Sequence, residues 1–160
     1  MKKRYYIAYG SNLNRRQMKL RCPGSKAAGK AVIEGYRLVF KGSGTGSYLT
    51  IEPFEGGRVP VGVYSVTEDD EAALDRYEGF PRFYHKEDMT LTASGMRGGK
   101  PARRKAFVYI MDERRGYGIP SQEYMDICCE GYADFGFDLW CLQKAYEDSE
   151  EEVWKRISAG

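Results

Sequence analysis

Residues 5 to 13 of this 160-residue chain read Tyr-Tyr-Ile-Ala-Tyr-Gly-Ser-Asn-Leu. Tyr5 to Tyr9 are aromatic or β-branched enough to favour a sheet. Gly10, Ser11 and Asn12 then end the strand with residue types that turn a backbone sharply. A signal peptide needs about 7 to 15 apolar residues after its basic start, and a membrane span about 20. The run after Met1–Arg4 is too short for either, so the chain is expected to be cytoplasmic, with no membrane partner. A strand that breaks this way can aim consecutive backbone N–H groups at one point and make an anion-binding nest. Such a nest suits a substrate carboxylate or the oxyanion of an acyl-transfer intermediate. Taken alone, the same residues also describe an ordinary strand-ending turn.

The length fits one domain over residues 1–160, able to bury roughly 70% of its unfolded surface. Basic and acidic residues nearly balance, 25 against 23, which argues against a nucleic-acid partner. With a single histidine, His85, and cysteines at 22, 128, 129 and 141, no spaced metal-ligand set is present in the sequence. The cysteines read as buried or partly buried thiols, Cys128-Cys129 leaving a redox role open. Thirteen tyrosines suit either a pocket wall or a sheet surface.

Along the chain, Asn14 to Arg21 is expected to form a short helix capped by Asn14 or Asn12. Ala27 to Phe40 reads as strand with a turn near Glu34-Gly35. Gly42 to Ser47 lacks the Gly-Lys-Ser/Thr ending and following helix of a phosphate loop, and reads as a flexible loop. Pro60 to Val66 reads as strand, and Thr67 with Asp70 caps a helix that Gly79 ends. Phe83 to Thr92 and Ala106 to Met111 read as strands joined by a basic tip, residues 94–105. That tip suits a solvated hairpin, with contact to an anionic surface as the alternative. Ser121 opens a helix running to about Phe135; Asp138 is expected to cap another to Glu147, and Ser149 with Glu152 to box a last one. Early strands and late helices indicate a mixed α+β domain.

Three segments together resemble the γ-glutamylcyclotransferase family. They are Tyr9-Gly10-Ser11-Asn12-Leu13, Leu74-Asp75-Arg76-Tyr77-Glu78-Gly79 at a helix end, and Pro120-Ser121-Gln122-Glu123-Tyr124 opening a late helix. Each is weak alone; their order and spacing match over nearly the whole chain. The resemblance implies a small mixed β-barrel with surrounding helices and a cofactor-free reaction that releases 5-oxoproline from a γ-glutamyl compound. It assigns the catalytic acid to Glu78, the substrate-holding loop to Tyr9, Gly10, Ser11, Asn12 and Leu13, and two substrate-lining tyrosines to Tyr84 and Tyr124. The implied partner is a small γ-glutamyl substrate, and a homodimer stays open.

In that reaction the substrate's own α-amine attacks its own γ-carbonyl, so no protein nucleophile is required. The protein must fold the glutamyl arm, move a proton from the α-ammonium to the departing amine, and stabilise the oxyanion. An exposed Glu would be a poor base here, so Glu78 is expected to be buried beside apolar groups such as Phe80, with a raised pKa. The plain alternative is a solvated glutamate at a helix C-terminus, and Tyr84 and Tyr124 have core packing as theirs. Residues 76–77 and 80–83 depart from the family pattern near the leaving group, which leaves its identity open. Two further readings share the fold: an enzyme removing a γ-glutamyl group from a biosynthetic intermediate, and a non-catalytic small-molecule binding module.

Overall fold

A computed structural model describes residues 2–43 and 46–159. Five strands close a ring: β1 (Lys3–Ala8), β2 (Lys26–Ser43), β3 (Gly46–Thr67), β4 (Tyr84–Gly95) and β5 (Gly98–Met111). Their order is β3-β1-β5-β4-β2, and β2 pairs back onto β3, with a short β6 (Gly116–Tyr117) hanging on the outer edge of β2. The ring is mixed because β1 runs antiparallel to β3 but parallel to β5. Its weakest seam is between β2 and β4, joined at the single pairing Lys30↔Ser94. Helices α1 (Arg15–Arg21), α2 (Glu68–Glu78), α3 (Gln122–Asp134) and α4 (Trp140–Ala159) surround it, in the mixed α+β architecture expected.

The two long strands absorb what reads locally as turns. β2 continues through Glu34-Gly35 by a bulge, with Gly35 at positive φ, because the antiparallel ladder to β3 resumes on the far side at Tyr36↔Pro53. Gly42 and Ser47 pair as strand residues, so the loop expected over 42–47 is confined to its centre; residues 44 and 45 lie outside the described residues. The basic tip is likewise strand for most of its length, β4 reaching Gly95 and β5 starting at Gly98.

Local capping rules decide α2. The Thr67 side chain accepts from the Asp70 N–H while the Asp70 carboxylate accepts from the Thr67 N–H, and Gly79 closes the helix at φ 66° in the left-handed region. Asp70 Oδ1 also accepts from Gly24 N–H, tying the end of α1 to the start of α2. Leu74, fully buried, anchors the helix to the core at a gain of about 2 kcal/mol.

The C-terminal segment corrects the expectation of two helices. α4 is continuous through Ser149, which is fully buried in its middle. The Ser149 hydroxyl donates to Ala145 C=O at 2.7 Å and accepts from Phe40 N–H at 2.8 Å. A serine that looks like a cap thus satisfies a backbone donor of β2 and locks α4 onto the ring. No helix of the described residues is long and apolar enough to cross a membrane.

Candidate active site

At the C-terminal end of β1 the chain turns into a single 3-10 turn over Ser11–Leu13 and then into α1, whose N-cap is Asn14. This turn forms because Leu13 N–H and Asn14 N–H reach back to the carbonyls of Gly10 and Ser11. α3 holds it from outside: Tyr132 donates to Tyr9 C=O, and Asn14 Nδ2 donates to Ile127 C=O. Beside the turn opens a cavity of about 390 Å³. Tyr9, Gly10, Ser11, Asn12, Glu78, Tyr84 and Tyr124 all line it. Leu13 does not: its side chain is fully buried, packed in the core where Gly62 and Gly131 come close.

Glu78 is the last residue of α2, and the cavity is also lined by its helix neighbours Arg76, Tyr77 and Gly79. Burial pushes its carboxyl up from an ordinary 4.5 to about 7, against the opposing pull of the Arg21 cation. Phenols contributed by several elements share the cavity with it, while Phe80, expected to supply the burial, is itself more than a third exposed. Asn12 Nδ2 donates to Glu78 Oε1 at 3.4 Å and to Tyr6 Oη at 2.9 Å. Ser11 Oγ and the Tyr77 hydroxyl lie 3.3 Å apart. The end of α2 is therefore stitched to the 3-10 turn at both Tyr77 and Glu78.

The phenols of the wall are each held by the protein. Tyr9 donates to Tyr109 C=O at 2.6 Å, and Tyr109 donates to Asp75 Oδ1 at 2.6 Å. Tyr84 donates to Leu49 C=O at 2.8 Å, while Tyr124 Oη accepts from Leu49 N–H at 3.1 Å. The last two thus clamp both sides of one residue of β3. Desolvation raises the pKa of Tyr6, Tyr9, Tyr84, Tyr109 and Tyr124, and the Glu78 charge raises each further. All five stay neutral where Glu78 titrates, so among these six groups it is the carboxyl that changes charge near neutral pH.

Sequence reasoning missed Tyr6, Tyr109 and Arg21. Arg21 donates to Asn12 Oδ1, and its guanidinium lies 3.4 Å from the centroid of the Tyr77 ring. Tyr77, which the sequence placed with Arg76 beside the leaving group, lines the cavity. Tyr6 and Tyr109 reach the cavity because β1 and β5 pair in parallel, bringing Tyr6 opposite Phe107.

The fold is thus a mixed β-ring with helices around it, and a half-buried carboxyl sits in a phenol-walled cavity at one end of β1. The family model for gamma-glutamyl cyclotransferase, AIG2-like proteins matches residues 6–126, and the chain belongs to that family. Among solved structures, the chain is similar to a gamma-glutamyl cyclotransferase at 25% identity, with a TM-score of 0.73 over 90% of this chain and 86% of that one. It shares its fold with an uncharacterized protein from Homo sapiens (24% identity, TM-score 0.74, covering 91% and 87%). It shares it also with a gamma-glutamyl cyclotransferase specific to glutathione from yeast (10% identity, TM-score 0.62, covering 95% and 97%). No curated protein gives a significant sequence match.

Proposed function

We propose that this chain releases 5-oxoproline and a free amine from a γ-glutamyl amino acid or γ-glutamyl amine. The observation that carries the reading is the Glu78 carboxyl, held in the cavity within reach of the 3-10 turn and raised to about 7. A group with that pKa can accept a proton near neutral pH and return it in the next step.

The substrate's glutamyl arm folds in the cavity so that its α-amine faces its own γ-carbonyl, an orientation effect worth several kcal/mol. Glu78 takes a proton from the α-ammonium. The freed nitrogen forms a bond to the γ-carbon and closes a five-membered ring. The oxyanion of that tetrahedral intermediate is stabilised by the amides of Gly10, Ser11 and Asn12, since a 3-10 turn leaves its first N–H groups without acceptors inside the turn. Glu78 then gives its proton to the departing nitrogen, the old C–N bond breaks, the Glu78 carboxylate takes the second proton from the ring nitrogen, and 5-oxoproline and the amine leave. The phenol wall keeps water scarce around this exchange and strengthens every dipole in it.

The test is to incubate the purified chain with γ-glutamyl-alanine and a set of γ-glutamyl amines and to assay 5-oxoproline. Release from at least one donor is the expected result. Saturable binding of these compounds with no product formed would replace the reading with a non-catalytic binding module.

A further inference from the structure

We infer that Arg21 is a positioning residue for the proton-transfer group: by capturing the carbonyl of Asn12 it keeps the amide edge of Asn12 turned to Glu78. The inference rests on the reading of Glu78 given above.

An asparagine side chain presents a carbonyl on one side and two N–H donors on the other, and its orientation is set by what surrounds it. Here Arg21 Nη1 donates to Asn12 Oδ1. A flipped Asn12 would press its N–H donors against a guanidinium that has only donors to offer. With the flip barred, Nδ2 faces Tyr6 Oη and Glu78 Oε1. The guanidinium is itself fixed twice, by Gln17 Oε1 at 3.4 Å and by stacking on the Tyr77 ring. That ring belongs to the residue preceding Glu78, so one arginine braces the turn, the end of α2 and the amide between them.

Two effects follow, and they share a sign. A donor held on the carboxylate favours the ionised form, and a nearby cation favours it too. The Arg21 charge opposes the burial that drives the group up, and the Asn12 donor acts in the same direction. The other ionisable groups facing Glu78 are the phenols of Tyr6 from β1, Tyr9 just after it, Tyr84 from β4, Tyr109 from β5 and Tyr124 from α3. Arg76 and Tyr77 line the cavity from its own helix, and Asp75 is taken up by Tyr109 and Lys86. Arg21 thus acts against the burial, favouring the ionised form of Glu78.

The experiment is a carbon-13 NMR titration of the Glu78 carboxyl in the full chain without substrate, the resonance assigned by its loss in Glu78→Gln. Arg21→Met is expected to move the midpoint upward by roughly half a unit or more, and Arg21→Lys to restore most of the difference. Where the product assay is active, the acid limb of the rate profile should move with it. An unchanged midpoint in Arg21→Met, with only a lower melting temperature, overturns the inference. If Arg21→Met does not fold, Arg21→Gln, which keeps a donor and loses the charge, carries the same two outcomes. Because the titration is read without turnover, it stands apart from the product assay: full activity in Glu78→Gln would sink the catalytic reading and leave the midpoint result intact.

Discussion

Asn12 and Glu78 are 66 residues apart in the chain and meet in the cavity, Asn12 Nδ2 donating to Glu78 Oε1 at 3.4 Å. Everything that defines the site converges on this pair: the turn that ends β1, the cap that ends α2, and the arginine of α1 that holds the amide. A half-buried carboxyl with a donor on it and a pKa of about 7 is poised between its two protonation states, the condition that general acid–base work requires.

The same burial has a thermodynamic consequence. Glu78 titrates near 4.5 when unfolded and about 7 when folded. A raised carboxyl supports the fold fully below its unfolded value, and that support is lost as pH rises through the folded value. Glu78→Gln should therefore melt near wild type at pH 5 and above it at pH 8, by on the order of 2 kcal/mol in stability. Melting curves at the two pH values check this.

Tyr84 and Tyr124 grip the carbonyl and N–H of Leu49. Removing either hydroxyl strands a buried backbone group, so Tyr84→Phe and Tyr124→Phe should each cost about 1–2 kcal/mol. Because both act on one residue, the double variant is expected to depart from the sum of the singles. Chemical denaturation of the three variants measures it.

Gly131 of α3 lies against the turn so closely that a Cβ there would sit 2.5 Å from Asn14 N and 2.7 Å from Leu13 C. Backbone atoms cannot rotate aside as a side chain would. Gly131→Ala should cost about 1–3 kcal/mol and, by displacing the loop from Glu78, lower turnover on the order of 10- to 100-fold. Denaturation and the 5-oxoproline assay read the two effects.

Ser149 gives a prediction far from the site. Ser149→Val would leave Phe40 N–H unpaired beneath α4, at a cost of about 1–3 kcal/mol. Turnover per folded molecule should be unchanged, since neither residue lines the cavity.

What could be read from the residues was whatever is settled within a few positions. The Thr67–Asp70 box, the Gly79 cap and the Ser121 cap are local bargains between neighbours, and the structure contains each of them. The motif segments located Glu78 and six of the seven loop and tyrosine positions on the cavity wall. Long-range partners decided the rest. Ser149 resembles a cap in isolation, yet its acceptor role is filled by Phe40, 109 residues away. Leu13 completes the motif string, but the 3-10 turn rotates it into the core. Arg21 looks like any basic residue in the last turn of a helix, and only the meeting of α1 with α2 gives it Asn12 and Tyr77 as partners.

The central claim is that Glu78 moves the proton, and the pH dependence of kcat for 5-oxoproline release tests it most directly. Wild type should show an acid limb near the Glu78 value of about 7, and Glu78→Gln, with its fold intact by circular dichroism, should lose at least about 100-fold in kcat. A Glu78→Gln protein that keeps wild-type turnover and the same acid limb would contradict the account.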